Sequence, residues 1–387
     1  MKNIATKLVN GGKKEARQNI NTINPPLHRA STVLFDSYSD MLKANQGKFE
    51  GIAYGTCGLA AQNAFEAAMT ELEGAYGCKA FQSGINAIAM VLLAFTKQGD
   101  HVLICDNVYG PTRHFCDGFM SKYGVTADYL PSDAGTDISK FMKNNTRLLF
   151  MESPGSNTFE IQDIPAITKV CREKGVISVI DNTWATPLYL NPFKLGVDVS
   201  IQSATKYITG HSDILLGTVS TTEEKWAEFE KCCYIFEIFA PQEDCYQALR
   251  GLRTLHVRLK HHEQSALDVA RWLVNHKAVD KVIHPALESH PEHELWKRDF
   301  KGSSGLFGFT LRDEYEDMDH SAFVDSLELF GLGYSWGGYK SLITGGRFRR
   351  NNSFAYEGKT IFRLNIGMED VDDLKKDLEQ GLSKLML

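Results

Sequence analysis

A lysine that follows a short apolar run is the residue of this chain best suited to covalent chemistry. In the segment 199–213, VSIQSATKYITGHSD, Lys206 comes where a strand should end, and Ser203 and Thr205 precede it closely. A primary amine forms a Schiff base with an aldehyde, and small hydroxyl groups donate hydrogen bonds to phosphate oxygens. The segment therefore predicts a site for a cofactor that carries an aldehyde and a phosphate. The competing interpretation is an ordinary exposed lysine.

Three other segments carry residue types that such a cofactor requires. Asp181 ends the run VISVID, and a buried carboxylate there would keep a ring nitrogen protonated, so that the ring withdraws electrons. Gly84 and Ile85 begin an apolar helical stretch, where free backbone N–H groups bind phosphate. Tyr109 lies in a loop and has a ring that could stack on the cofactor. The alternative for the first two segments is helix or loop capping, and for the tyrosine it is packing on its own domain. The presence of Lys206 in the same chain favours the cofactor role for Asp181.

An arginine near the C-terminus is suited to hold a substrate carboxylate. The run 359–367, KTIFRLNIG, alternates as a strand does, with apolar residues on the core side and Arg363 on the other. A guanidinium on a rigid strand can grip a carboxylate with two hydrogen bonds. The segment YSWGG places Ser335 and Trp336 in a tight loop that could form a pocket wall. A surface ion pair and a packed turn are the respective alternatives.

Two patterns that contain catalytic or metal-binding residue types are interpreted as structural. His211, Ser212 and Asp213 are adjacent, and adjacent residues cannot form the His-bridged relay of a hydrolase. The run 261–263, HHE, lacks the spacing of metal ligands and is expected on a polar helix face. The eight cysteines include no CxxC pair, so no metal site is predicted.

Short apolar runs separated by helix-length stretches must position these side chains. The runs 101–105, 147–151, 176–180 and 197–201 are largely apolar. This alternation is typical of βαβ units and predicts an α/β fold with a parallel sheet covered by helices on both faces. Ligands of such sheets bind at the carboxyl ends of the strands. We therefore expect the lysine, the aspartate and the tyrosine loop at one edge of the sheet.

The chain of 387 residues is long enough for more than one domain. Residues 1–58 show no sustained helical or strand period and are predicted to form an extended arm. Helical spacing begins at Ala61, and residues 59–251 are expected to form the cofactor-binding domain. The more mixed region 252–387 is predicted to form a smaller C-terminal domain that ends in an amphipathic helix.

Composition indicates a globular protein of the cytoplasm that binds neither nucleic acid nor membrane. The net charge of −6 disfavours a nucleic-acid groove, and the basic run 347–350 is expected to be a solvated loop. The start of the chain has no apolar signal core, and the longest apolar run, 88–95, is too short to span a bilayer. The cysteines fit reduced thiols in the cytosol.

Four segments together resemble one enzyme family. They are SATKYITGHSD around Lys206, IDNTWATP around Asp181, YSWGGYKSLI around Trp336 and RLNIGMEDVDDL from Arg363. The chain is similar, nearly end to end, to the trans-sulfuration (Cys/Met metabolism) enzymes that use pyridoxal 5′-phosphate, and within them to the bacterial cystathionine β-lyases. Trp336 supports that branch, because the sister γ-enzymes more often have leucine in this loop.

The resemblance implies a fold type I (aspartate-aminotransferase-like) architecture. It has a mostly parallel seven-stranded sheet, a smaller C-terminal α+β domain, and an arm that reaches into a neighbouring subunit of a homotetramer, a dimer of dimers. Lys206, Tyr109 and Tyr54 would be catalytic: the lysine forms the Schiff base and moves protons, and Tyr109 stacks on the ring. Asp181 would pair with the ring nitrogen. The phosphate would be contacted by Gly84, Ile85, Ser203, Thr205 and Tyr54, the last from a neighbouring subunit. The substrate would be contacted by Ser335, Trp336 and Arg363.

The implied reaction is the cleavage of cystathionine to homocysteine, pyruvate and ammonia in methionine biosynthesis. Other trans-sulfuration reactions stay open, namely those of a cysteine desulfhydrase, a methionine or cystathionine γ-lyase and a cystathionine γ-synthase. A regulatory protein that binds the cofactor with little catalysis is a further alternative. Two departures from the family pattern bear on the choice. Thr56 and Cys57 stand where the family commonly has a phosphate-contacting arginine, and Lys340 stands where it usually has glutamate.

Overall fold

A seven-stranded sheet forms the centre of the larger lobe of the computed structural model, which describes residues 3–12, 22–131 and 134–386. Its strands are β1 Gly77–Phe81, β2 His101–Cys105, β3 Thr126–Leu130, β4 Thr146–Glu152, β5 Ile177–Asp181, β6 Val199–Gln202 and β7 Gly217–Thr221. They lie in the order β1-β7-β6-β5-β4-β2-β3. Strand β7 pairs antiparallel with β1 and β6, and the other neighbouring pairs are parallel. The predicted mostly parallel seven-stranded sheet is confirmed.

The four apolar runs predicted as strands form β2, β4, β5 and β6, with ends that differ by at most two residues. Every residue of β2, β5 and β6 is buried. Because helices cover both faces of a parallel sheet, its central strands have no solvent side and read as continuous apolar runs.

The described part of the predicted arm contains two short helices where extended chain was expected. Helix α1 spans Ile4–Asn10 and α2 spans Tyr38–Asn45. Each begins at a side-chain cap: Asn3 Oδ1 accepts from Ala5 N at 3.0 Å, and Ser37 Oγ accepts from Asp40 N at 3.1 Å. Leu8 is buried, so α1 packs on its own subunit. The parts of the predicted arm at residues 1–2 and 13–21 lie outside the described residues.

Helices pack on both faces of the sheet and produce two hydrophobic clusters. On one face lie Ile88 and Phe229, and on the other lie Phe65 and Leu252. The helices of this lobe are α3 Ala60–Glu73, α4 Gly84–Phe95, α5 Gly110–His114, α6 Ile164–Lys174, α7 Thr186–Tyr189, α8 Glu223–Ile235 and α9 Gln242–Val274. Helix α3 is the one predicted from Ala61, and it ends at Gly74, whose φ of +70° suits glycine.

The smaller lobe is built on a five-stranded sheet. Its strands are β8 Val279–Ile283, β9 Leu306–Leu311, β10 Gly331–Leu332, β11 Leu342–Arg347 and β12 Thr360–Asn365, in the order β10-β11-β12-β9-β8. Its helices are α10 His293–Asp299, α11 Asp313–Glu316, α12 Ser321–Val324 and α13 Val371–Leu382. Strand β12 is the predicted KTIFRLNIG strand, and α13 is the predicted amphipathic helix.

The 33-residue helix α9 joins the two lobes. Leu252 and Leu255 belong to a cluster of the larger lobe, whereas Val269 and Leu273 belong to the core of the smaller one. The expected division at residues 251 and 252 therefore falls inside a continuous helix, and both lobes share that helix.

Two polar segments expected on the surface are partly buried. Arg350, in the run predicted to be a solvated loop, has a side chain only 5% exposed and pairs with Glu160 at 2.6 Å. His262, expected on a polar helix face, is buried and its Nδ1 lies 2.7 Å from the carbonyl oxygen of Ile366. Both expectations were wrong for the same reason: each side chain meets a partner more than 100 positions away in the sequence.

Membrane and metal features are absent from the part of the chain that the structure describes. No helix there is both long enough and apolar enough to cross a bilayer. No group of three or more His, Cys, Asp or Glu side chains there could hold a metal ion.

A buried carboxyl group lies between α3 and β6. Glu73 is 0% exposed, and its two oxygens accept hydrogen bonds from Ser200 Oγ at 3.2 Å and Gln202 Nε2 at 3.3 Å. Burial raises the pKa of Glu73 to about 8, and the two hydrogen bonds only partly oppose this. The folded protein therefore holds a neutral carboxylic acid at this position at pH 7.

Replacing Glu73 by glutamine should stabilise the protein increasingly as the pH rises. Between the unfolded pKa near 4.5 and the folded pKa near 8, the unfolded chain loses a proton that the folded chain keeps, so stability falls with rising pH. The free energy of unfolding of Glu73→Gln minus that of the parent should grow by up to ~1.4 kcal/mol per pH unit in this window. Urea unfolding at pH 5, 6, 7 and 8 measures it. Glu71→Gln, at an exposed position on the same helix, is the control, and an equal effect of both variants would contradict the prediction.

Candidate active site

A cavity of about 310 Å³ lies where the carboxyl ends of the parallel strands meet the smaller lobe. Strands β4 and β5 end at Glu152 and Asp181 on its wall, β6 leads into Ser203, and α4 begins there at Gly84. Strand β12 of the smaller lobe contributes Arg363. All the site residues predicted from the sequence line this cavity except Tyr54. The members are Gly84, Ile85, Tyr109, Asp181, Ser203, Thr205, Lys206, Ser335, Trp336 and Arg363.

Lys206 is placed by the turn that follows β6. Its backbone N–H donates to Ser203 O at 3.0 Å, and its Nζ donates to Ser335 Oγ at 2.7 Å. The amine also lies 5.4 Å from the centre of the Trp336 ring. Burial and the nearby Arg363 guanidinium lower the pKa of Lys206 to about 8, against the opposing effect of Asp181. A much larger fraction of this amine than of an ordinary lysine is therefore neutral, and so nucleophilic, near neutral pH.

Asp181 presents one unpaired oxygen to the cavity. Its Oδ1 accepts hydrogen bonds from the backbone N–H of Thr183 at 3.0 Å and from the Thr183 hydroxyl. Among the described residues, none donates a hydrogen bond to Oδ2. The side chain is only 7% exposed, and burial raises its pKa although Thr183 and Lys206 oppose the shift. A buried carboxylate oxygen without a partner suits a ligand that brings its own N–H donor.

A helix terminus and a serine lie together on the cavity wall. The first N–H groups of a helix have no acceptor within it, so those of Gly84 and Ile85 are available to an anion. A Cβ at Gly84 would lie 2.8 Å from Ser203 Oγ, so only glycine fits this close approach. Thr205 differs, because its hydroxyl donates to Leu216 O at 3.1 Å and accepts from Leu216 N at 2.9 Å. A hydrogen bond from the Thr205 hydroxyl to a phosphate would require its bond to Leu216 O to be broken.

Arg363 is held by residues from both lobes. Its Nη1 donates to Asn157 Oδ1 at 3.1 Å, and its Nη2 donates to the carbonyl oxygen of Ser335 at 3.2 Å. Asn157 and Ser335 have φ angles of +66° and +75°, which non-glycine residues rarely adopt. Such backbone conformations persist where surrounding contacts fix them and are concentrated at functional sites. The guanidinium is thereby aimed into the cavity next to the Lys206 amine.

The loop around Trp336 is tied to β12, and Lys340 lies outside the cavity. Asn365 Oδ1 accepts from Gly337 N at 2.8 Å, and Asn365 Nδ2 donates to Lys340 O at 2.9 Å. The side of β12 opposite the apolar core therefore carries both Arg363 and Asn365, and Asn365 holds the loop. Lys340 itself is exposed and does not line the cavity. The Lys340 side chain, at the position where the family usually has glutamate, therefore makes no direct contact with the site in this subunit.

The two predicted tyrosines occupy different places. Tyr109 lines the cavity, and its backbone N–H donates to Glu152 Oε2 at 2.6 Å. Burial and then the Glu152 and Asp181 carboxylates raise the pKa of Tyr109, so its hydroxyl stays protonated near neutral pH. Tyr54 is 45% exposed and lies outside the cavity of its own subunit. Cys57, in the 3₁₀ turn Gly55–Cys57 that follows, is exposed too.

Three residues of the cavity hold predicted site residues but were given no role of their own in the sequence analysis. Glu152 anchors Tyr109, Asn157 holds Arg363, and Thr183 holds Asp181. Glu152 and Thr183 lie at the carboxyl ends of predicted strands, where ligand contacts are expected, but no local signal names the residue that each would hold. For Asn157 the only local signal is asparagine in a Ser-Pro-Gly-Ser-Asn loop, since asparagine tolerates positive φ.

The geometry fits a phosphorylated aromatic aldehyde with a ring nitrogen. The cavity combines a largely buried amine, an unpaired buried carboxylate oxygen and the N-terminus of α4. A second cation, Arg363, is placed to receive a carboxylate. The described residues that line the cavity include no cation besides Lys206 and Arg363. Within this subunit, N–H and hydroxyl donors are therefore the groups available to a phosphate.

Comparisons with known proteins agree with this chemistry. A family model described as Cys/Met metabolism PLP-dependent enzyme matches residues 5–383. The protein "Cystathionine beta-lyase MetC" of Escherichia coli K12 is 40% identical over 394 aligned positions, which cover 100% of this chain and 99% of the relative. The "L-alanine/L-glutamate racemase" of Wolbachia pipientis is 38% identical and covers 94% of this chain and 93% of its own length.

A solved structure shares the fold. The crystal structure of metB from Corynebacterium glutamicum superposes with a TM-score of 0.90 at 28% identity, covering 100% of this chain and 99% of that one. The seven-stranded sheet and the smaller lobe are those expected of fold type I. On the family match over nearly its whole length, the chain belongs to the Cys/Met metabolism PLP-dependent enzymes, whose cofactor is pyridoxal 5′-phosphate.

Proposed function

We propose that this protein is a carbon–sulfur β-lyase that cleaves L-cystathionine to L-homocysteine, pyruvate and ammonia. The observation that carries the proposal is the position of Lys206 Nζ, 2.7 Å from Ser335 Oγ, in a cavity that Arg363 enters from the other lobe. An amine that moves a proton at Cα and a guanidinium that holds the α-carboxylate suit an amino-acid substrate. The similarity to the E. coli enzyme supports cystathionine as that substrate.

The residues of this chain would hold the cofactor at three points. Lys206 would provide the amine for covalent attachment, Asp181 Oδ2 would accept from the ring N–H, and Tyr109 would cover the ring. The N–H groups of Gly84 and Ile85 and the Ser203 hydroxyl would bind the phosphate, and Thr205 would join them if its hydroxyl gave up its bond to Leu216 O. When bound, pyridoxal 5′-phosphate supplies an electron-withdrawing ring that stabilises negative charge at the substrate Cα. The buried carboxylate of Asp181 would keep the ring nitrogen protonated and so strengthen this effect.

Proton transfer is the proposed task of Lys206. Once its amine is free and neutral, Nζ can accept the Cα proton of a substrate whose carboxylate is fixed by Arg363. The Ser335 hydroxyl, which accepts from Nζ at 2.7 Å, limits where that amine can point. The same ammonium can then donate a proton to the departing sulfur. The Trp336 ring, whose centre lies 5.4 Å from Nζ, forms part of the cavity wall beside the amine.

A second candidate function uses the same proton transfer without a leaving group. The Wolbachia relative named a racemase is nearly as similar as the E. coli lyase. Racemisation needs only removal of the Cα proton and its return on the other face. Lys206 and the protonated Tyr109 hydroxyl both line the cavity and supply two proton carriers for it. A γ-lyase is a further alternative within the same family.

The assembly, domain division and location belong to the same proposal. We infer a homotetramer in which Tyr54 completes a neighbour's site, because this exposed tyrosine does not reach the cavity of its own subunit. The arm over residues 1–58, the cofactor domain over 59–251 and the C-terminal domain over 252–387 are proposed as the functional units. A cytoplasmic location is supported by eight free cysteines, which suit a reducing compartment.

The products formed by the purified protein test the proposed reaction. We expect pyruvate and homocysteine from L-cystathionine, and loss of at least ~10³-fold in rate for Lys206→Ala, because the proton carrier is removed. Lys281→Ala, at an exposed position on β8, is the matched control and should keep full activity. Release of 2-oxobutyrate would instead indicate a γ-lyase. Formation of D-alanine from L-alanine, with no pyruvate from cystathionine, would indicate a racemase.

The pKa of Lys206 should respond in opposite directions to two substitutions. Labelling of the cofactor-free protein with an amine-reactive reagent, followed by peptide mapping, should give a midpoint near pH 8 for this residue. Arg363→Gln removes a nearby positive charge and should raise the midpoint, whereas Asp181→Asn removes a negative charge and should lower it. A midpoint near the ordinary lysine value of about 10.4, or shifts of the same sign, would contradict the proposed electrostatics.

Restoring the arm arginine should tighten cofactor binding if Tyr54 and Thr56 lie near a neighbour's phosphate. A hydrogen bond from a charged donor contributes about 1.5–3 kcal/mol, which corresponds to ~10–100-fold in affinity. Equilibrium titration with pyridoxal 5′-phosphate should therefore give a lower Kd for Thr56→Arg. Thr56→Gln has a long side chain without charge and is the control. Equal Kd values for the two variants would place the arm away from the phosphate.

A further inference from the structure

The loop after β4 has a backbone conformation that is costly at two residues, and hydrogen bonds within the loop, such as Phe159 N to Gly155 O at 3.0 Å, hold only part of it. In this loop, residues 153–163, Asn157 and Phe159 have φ angles of +66° and +60°. Positive φ is costly for a side chain as bulky as phenylalanine. Such conformations persist only where contacts from elsewhere hold them. The loop matters for the site, because Asn157 Oδ1 accepts the hydrogen bond from Arg363 Nη1.

An arginine of the smaller lobe contacts the residue that follows each of these two positive-φ residues. Arg350 lies in the connection between β11 and β12, and its guanidinium donates to Glu160 Oε1 at 2.6 Å and Oε2 at 3.2 Å. It also donates to the hydroxyl of Thr158, which in turn donates to Glu160 Oε2 at 2.7 Å. The guanidinium therefore binds the loop at the positions just after Asn157 and just after Phe159.

The Arg350 contact is buried and well fixed. The side chains of Arg350 and Glu160 are 5% and 13% exposed, and the guanidinium carbon lies 4.5 Å from the centre of the Phe354 ring. A two-pronged pair that is shielded from water holds its geometry far better than an exposed ion pair. Arg349, the preceding residue, is exposed and forms no hydrogen bond or ion pair with the described residues. The two neighbouring arginines thus provide a natural comparison.

The same connection also holds the loop that carries Tyr109. Asp106 Oδ2 accepts from Asn352 N at 2.6 Å and from Asn352 Nδ2 at 2.9 Å. The two loops are joined to each other, since Ser156 N donates to Asn107 O at 2.8 Å. The β11–β12 connection therefore fixes two loops of the larger lobe together.

We propose that Arg350 is a positioning residue for the substrate carboxylate: it holds the loop 153–163 so that Asn157 orients Arg363. The inference rests on the proposed function in one respect, the assignment of Arg363 to the carboxylate. Arg350 itself does not line the cavity. Its effect should appear in the binding of ligands that have a carboxylate and be absent for those that lack one.

Spectral titration of the holoenzyme with glycine and with ethanolamine tests this role. Both ligands have the amine that reacts at the cofactor, but only glycine has a carboxylate. Arg350→Met should weaken glycine binding by ~10–100-fold, the usual scale for a misplaced binding group, and change ethanolamine binding less than about twofold. Arg349→Met should leave both Kd values unchanged. The KM for cystathionine should rise in Arg350→Met more than kcat falls.

Two further variants keep the outcomes distinguishable. Arg350→Lys retains the charge but loses the two-pronged geometry, so it avoids an unpaired buried Glu160 and should show the same selective loss of glycine binding to a smaller extent. Selective loss in either variant supports the proposal. Equal weakening of both ligands, or no weakening, overturns it. Arg363→Gln tests the underlying assignment: if it does not weaken glycine selectively, the carboxylate site of the proposed function is wrong, whatever Arg350 does.

Discussion

The site depends on keeping two positive side chains, Lys206 and Arg363, close together in one half-buried cavity. Burial and mutual repulsion both disfavour their charged forms, and the consequence is a lysine pKa lowered to about 8. Ser335 connects the pair, because its hydroxyl accepts from the amine and its carbonyl oxygen accepts from the guanidinium. Arginine keeps its charge in such surroundings, whereas lysine releases its proton more readily than usual. The repulsion thus suits the arginine to its proposed role as carboxylate receptor and the lysine to its proposed role as base.

The cavity is formed by both lobes, and its function requires that their relative position stays fixed. The amine and Asp181 come from strand ends of the larger lobe, whereas Arg363 comes from β12 of the smaller one. Helix α9 passes through both cores and fixes their relative position. The connection between β11 and β12 adds a second link through Arg350 and Glu160. A displacement of about 1 Å between binding groups can cost two orders of magnitude in rate.

Similarity to relatives identifies the family and cofactor more firmly than the reaction. Two relatives with nearly equal identity are named a lyase and a racemase. Both chemistries begin with removal of a Cα proton, a step that we propose for Lys206. They diverge in what happens at the β-carbon. Cofactor and carboxylate contacts are common to both reactions, so these contacts do not separate them.

The sequence by itself predicted the central strands, the helix α3 and ten residues that line the cavity. Those predictions succeeded because the relevant signals are local: apolar runs, strand ends and glycine at a helix start all lie within a few residues. It did not predict the helices of the arm, whose caps at Asn3 and Ser37 flank segments without a clear apolar period. It also placed Arg350 in solvent.

What only the tertiary structure decided is which distant groups meet. Asn157 and Arg363 are separated by 206 positions, and Arg350 and Glu160 by 190. No local pattern encodes such a pair, since each residue taken alone is an ordinary polar side chain of a loop or strand. The pKa of Lys206 is likewise not encoded locally, because it depends on burial and on charges that other elements bring close to the amine. The sequence determined which chemical groups are available, and the packing of the two lobes determined their proton affinity and orientation.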